Sequence, residues 1–104
     1  MAGLSSDRAT ELALGLPGAI EADHHGRRSF RAGGRIFATL WDATHMNVML
    51  DPPGILTAVQ DAPEICAEVW WGKRLSAVRV DLERADPELL AALLADAHEA
   101  KAAR

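Results

Sequence analysis

The sequence predicts a two-layer α+β domain, an antiparallel sheet with helices on one face. Three observations carry that expectation. Gly33-Gly34 separates two extended runs, 29–32 and 35–41, and supplies the positive φ angles that a two-residue hairpin turn needs. Asp51-Pro52-Pro53 and Asp86-Pro87-Glu88 both read as helix starts, because Asp caps and proline is tolerated in the first turn. Val78, Val80 and Leu82 alternate with less apolar residues, as a half-buried strand does. Hairpin-linked strands with helices packed on one side make two layers.

The elements follow in order. Ser5 or Ser6 caps a first helix over about 6–14, with Asp7 at the positive end of its dipole. Gly15 and the Leu16-Pro17-Gly18 turn end it. A short extended segment at 20–24 leads into the glycine-tipped hairpin. A two-residue turn pairs Ala32 with Arg35, Arg31 with Ile36 and Phe30 with Phe37. A further strand at 45–50 places Met46, Val48 and Leu50 on one side. If the turn near Asp42-Ala43 is even, the core side holds Phe30, Phe37, Trp41, Met46, Val48 and Leu50. Ile55, Leu56 and Val59 are the expected buried side of the Asp51 helix. Asp61-Ala62-Pro63-Glu64 starts a second short helix, with Ile65, Cys66 and Val69 inward. The segment Trp70-Trp71-Gly72-Lys73-Arg74 reads as a loop, and a strand at 76–82 follows it. Leu89, Leu90, Leu93, Leu94 and Ala97 stripe the last helix.

A chain of 104 residues suits one domain spanning 1–104. Its 49% hydrophobic and 25% charged content is that of a soluble globular protein. The single cysteine, Cys66, excludes an internal disulfide, which fits a reducing compartment. The opening residues show no basic segment followed by an apolar run, so no signal peptide is expected. No stretch reaches the length of a membrane span. The expected location is cytoplasmic, with no membrane partner.

The net charge of −4 argues against a broadly basic nucleic-acid binder, but the charges are not evenly spread. Residues 24–41 and 69–80 hold seven of the eleven Lys and Arg and none of the fifteen Asp and Glu. If the two windows meet, they form one cationic surface on an anionic body. Arg27, Arg28, Arg31, Arg35, Lys73 and Arg74 would then face phosphates, which a guanidinium fork matches well. Trp70 or Trp71 beside them could stack on a splayed base. The plainer alternatives are solvated charges that protect strand edges, or a contact for an acidic protein surface.

Other candidates are weaker. Asp23-His24-His25 with His45 has the residue types of a metal site or a general acid/base cluster, but adjacent residues of a strand point to opposite faces, so both histidines rarely bind one ion. His25 before Gly26 suits a turn instead. Cys66 sits among apolar neighbours and reads as a structural cysteine. No catalytic residue, metal ligand or cofactor is expected.

The chain reads Leu16-Pro17-Gly18 with Glu21, then His25-Gly26, then Ser29-Phe30-Arg31-Ala32-Gly33-Gly34-Arg35-Ile36-Phe37-Ala38. Leu50-Asp51-Pro52, Trp71-Gly72-Lys73 and Asp86-Pro87-Glu88-Leu89-Leu90 follow. In this order and spacing the motifs resemble the MmcQ/YjbR-like family. Here Arg35 stands where lysine is more usual, and Leu75-Ser76 stand where a second aromatic often follows. The resemblance implies the order α-β(3)-α-β(2)-α, similar to secretion chaperones. It also implies a small, non-enzymatic module, some of whose relatives are described as binding DNA through a double-wing arrangement. A protein-interaction role is the alternative, with the chain a monomer or a weak homodimer.

Overall fold

The computed structural model describes residues 3–103. The order of elements is α1 (Ser6–Leu14), β1 (Ile20–His24), β2 (Arg27–Ala32), β3 (Arg35–Asp42), β4 (His45–Val48), α2 (Pro52–Asp61), β5 (Cys66–Trp71), β6 (Arg74–Asp81) and α3 (Pro87–Ala102). All six strands join one antiparallel sheet in the order β1-β2-β3-β4-β6-β5. The helices cover one face, and the class is α+β. Four strands precede α2, one more than the resemblance implies, because 20–24 pairs with β2 as a full edge strand.

Each helix begins on a side-chain cap. Ser5 accepts from the Arg8 N–H at 3.0 Å, Asp51 from Gly54 at 3.0 Å and Asp86 from Leu89 at 2.7 Å. Such caps contribute about 1 kcal/mol each. Pro52 and Pro87 follow their caps where no N–H partner exists to be lost. On the covered face Phe30, Met46, Val48, Val78 and Val80 meet Ile55 of α2 and Leu90 and Leu94 of α3, all fully buried. The Phe37 ring meets the His98 ring edge-on at 5.5 Å. His98 Nε2 lies 2.7 Å from the Pro17 carbonyl, which can only accept, so this nitrogen carries the proton and ties α3 to the loop after α1.

Two bulges alter the expected register. Ala32 pairs with Arg35 and Arg31 with Ile36, but the next pair is Phe30 with Ala38, not with Phe37. Phe37 is the extra residue, and a bulge turns every later side chain of β3 relative to the simple alternation. A second irregularity falls between Leu40 and Asp42. Ala38 and Leu40 therefore enter the core, and Trp41 faces the other way with 37% exposure. The second short helix is also absent. Residues 63–65 form turns, and 66–71 is the edge strand β5, so the segment expected as a loop is the β5–β6 hairpin itself.

Candidate nucleic-acid interface

One row of side chains crosses the uncovered face. Ser29, Thr39, Asn47, Arg79 and Ala67 are successive partners on β2, β3, β4, β6 and β5. The Ser29 hydroxyl donates to the Ala22 carbonyl at 2.9 Å, and Arg79 Nε donates to Asn47 Oδ1 at 2.9 Å. Thr39 and Asn47 are only 6% and 2% exposed although no helix covers this face. Trp41 lines the same trough as these two, with the Arg27 Cζ 3.9 Å and the Arg79 Cζ 4.3 Å from its ring centroid. Arg27 Nε also donates to the Trp41 carbonyl at 3.0 Å. Each such cation–π contact is worth about 0.5–1 kcal/mol at an exposed site. Neither guanidinium makes an ion pair among the described residues. Trp41 thus fixes two cations in place without neutralising them.

Strand lengths shape the rest. β4 has four residues between neighbours of eight. It pairs only with the Ala38–Asp42 part of β3 and the Val78–Asp81 part of β6. The β2–β3 and β5–β6 hairpins therefore run on past it as two arms pointing the same way, with the chain turning into α2 between them. The Gly33-Gly34 turn (φ 60° and 81°) ends one arm, and Gly72 (φ 65°) supplies the positive φ that ends the other. A trough of about 910 Å³ runs along the open face and into the gap between the arms. Ile36, Met49, Leu50 and Leu75 give it apolar walls, while Arg27, Lys73, Arg74 and Lys101 give it cationic edges. Among the described residues its only carboxylate is Asp51, already engaged as the cap of α2.

The candidate residues from the sequence divide. Arg27, Trp71, Lys73 and Arg74 line the trough. Arg35 is exposed at the end of its arm and makes no ion pair among the described residues. Arg31 is on the open face beside the trough, half-buried, with its Nε enclosed and unbonded. Arg28 lies on the helix side, where it grips Glu21 through two hydrogen bonds of 2.6 and 2.9 Å. That bond holds the Glu21 carboxyl below its ordinary range and raises the Arg28 guanidinium further. Trp70 is outside the trough and donates its indole N–H to Glu68 at 2.9 Å.

Arg79, Trp41, Asn47 and Lys101 join the site without having been singled out. For Arg79 the signal was available, since its place between Val78 and Val80 puts it opposite the core. Trp41 could not be placed without knowing the bulges.

His24 and His25 both line the trough, their rings 4.4 Å apart and tilted by 60°, and His25 adopts φ 55° in the turn with Gly26; Cys66 lies on the other face of the sheet. His45 Nδ1 lies 3.0 Å from Asp42 Oδ1. Asp42 is held below the usual carboxylate range, first by the Thr44 backbone N–H and then by His45. Cys66 is buried on the opposite face, where desolvation pushes its thiol up. Among the described residues, no group of three or more His, Cys, Asp or Glu could hold a metal ion. None of their helices is long and apolar enough to cross a membrane.

Fold and site together define a small α+β protein with a cationic, tryptophan-bearing trough on an open sheet. The chain belongs to the YjbR family, whose profile matches residues 14–100, a span that includes every strand and both arms. Comparison with curated proteins and with solved structures gave no match.

Proposed function

We propose that the chain is a non-enzymatic binding module that takes DNA on the open face of its sheet. The observation that carries this reading is the trough. It gathers cations from both acid-free windows, and the one carboxylate that lines it among the described residues is committed to a helix cap. On a chain of net charge −4, such a local concentration of positive charge favours a polyanion. Cys66 is buried in the core under the helices, while His24 and His25 line the trough, so the thiol and these imidazoles stand on opposite faces of the sheet.

The test is retention on a DNA or heparin column and its dependence on salt. Four to six neutralised phosphates give a log–log slope of roughly −3 to −5. Arg27→Glu, Lys73→Glu and Arg74→Glu combined should abolish retention. Unchanged retention in that triple variant would refute the surface.

A second reading rests on the covered side. A cavity of about 390 Å³ lies between α2 and α3, lined by Leu50, Ala58, Leu89 and Leu93 with Asp61 and Asp96 at its edges. Leu56 of α2 is 50% exposed. A protein partner with an apolar, basic segment suits that groove, and its binding would survive high salt.

A further inference from the structure

Resting on the DNA reading, we infer that the ligand is a single strand and that Trp71 is the residue on which its bases stack. The three tryptophans differ in what their rings are doing. Trp41 already has two guanidinium carbons within 4.3 Å of its centroid. Trp70 is tied to Glu68 through its N–H and lies outside the trough. Trp71 lines the trough, is 55% exposed and makes no aromatic or cation contact among the described residues. It is the one indole with a face to offer.

The trough is also the wrong shape for a duplex. Its floor is Thr39 and Asn47, almost wholly enclosed, and its walls are apolar. A duplex presents phosphates on a convex surface and keeps its bases stacked inside. It could touch the cationic edges but would leave the apolar walls and the floor unused. A single strand can turn its bases inward, against Trp71, Leu75 and Ile36, and lay its phosphates along the edges. Cations stand at both ends of the trough, Arg27 at one and Lys73, Arg74 and Lys101 at the other. The eight-residue β3 that runs between them is about 26 Å long, room for about four nucleotides, the low end of the site sizes seen on small sheet domains.

On the floor, the Asn47 carbonyl oxygen is taken by Arg79, which leaves the amide NH₂ pointing its donors elsewhere. The Thr39 hydroxyl makes no hydrogen bond within the protein among the described residues and lines the same trough. These two groups can bond to a base edge, while Trp41 acts as a positioning residue that holds Arg27 and Arg79 for the backbone.

The experiment compares labelled ten-nucleotide oligo(dT) with a blunt duplex of similar length, by fluorescence anisotropy at low salt. Wild type, Trp71→Ala, Trp71→Phe and Trp70→Ala are measured, with thermal melts to confirm that each is folded. The expected result is a single strand bound at least tenfold tighter than duplex. Trp71→Ala should lose about tenfold for the single strand, the loss typical of one stacked base. Trp71→Phe should keep most of the affinity, and Trp70→Ala should match wild type. Duplex bound as tightly as single strand, or Trp71→Ala bound as tightly as wild type, would overturn this inference while leaving the DNA reading in place. Binding of neither probe would overturn both.

Discussion

The two faces of the sheet carry the same kinds of residue and use them in opposite ways. Arg28 and Arg27 are neighbours in sequence. Arg28 faces the helices and is neutralised by a two-pronged bond to Glu21. Arg27 faces the open side and is held by an indole and a carbonyl, neither of which cancels its charge. The aromatic residues divide likewise. Phe30 and Phe37 are fully buried under the helices, whereas Trp41 stands on the open face as a support for cations. Strand alternation, corrected by the bulges, decides which fate a residue has. Charge or aromaticity alone therefore says little about role until the face is known.

The contrast can be broken most forcefully at the covered face. Phe30→Ala should cost about 3–5 kcal/mol in urea unfolding, because a large enclosed side chain leaves a cavity. Thr39→Ala, equally central but on the open face, should cost under about 1 kcal/mol. Comparable losses at both sites would mean the open face is a second core rather than a surface.

Trp41→Ala tests whether the open face is an organised site. It should lower DNA affinity several-fold by releasing two guanidinium groups and cost about 1–2 kcal/mol of stability through the two cation–π contacts. Trp41→Phe should recover most of both. An affinity unchanged in Trp41→Ala would show that the two arginines need no support.

Glu21→Gln addresses the paired arginine. Both side chains are partly exposed, so the pair should contribute no more than about 1 kcal/mol. The Arg28 hydrogen bond, aided by its charge, holds Glu21 below its ordinary value of 4.5. A depressed carboxyl stabilises the fold fully above that ordinary value and loses the effect as pH falls through the lowered one. The urea midpoint of wild type should therefore exceed that of Glu21→Gln at pH 7, and the gap should close below pH 4.5. A gap that persisted in acid would mean that the stabilisation is not ionic.

The smallest expected effect is at Asp51→Asn. Asparagine caps as well as aspartate does, so stability should move by under about 0.5 kcal/mol. The trough would lose the negative charge of Asp51, and DNA affinity should rise slightly. A fall in affinity would point to a role for this carboxylate in contacting the ligand.

Much of the fold was legible because local chemistry is explicit. The three capped helices and the glycine-tipped hairpin announce themselves through single residues whose conformational needs are narrow. What escaped was set by longer-range pairing. The spacing of Ile65, Cys66 and Val69 fits a helix face, yet the segment pairs with β6 as an edge strand, since short apolar runs do not distinguish the two periods. The bulge after Phe30 has no glycine or proline to mark it, so the side to which Trp41 turns could not be read. The candidate site was legible as two acid-free windows. That they share one trough depends on the shortness of β4, which only the pairing reveals.

The most direct test is an NMR titration with oligo(dT) that follows the indole N–H signals and the Asn47 side-chain amide. The expected result is movement of the Trp41 and Trp71 indoles and of the Asn47 amide, with the Trp70 indole and the groove between α2 and α3 unmoved. Perturbations confined to Leu56, Leu89 and Leu93, with the open face silent, would contradict the account.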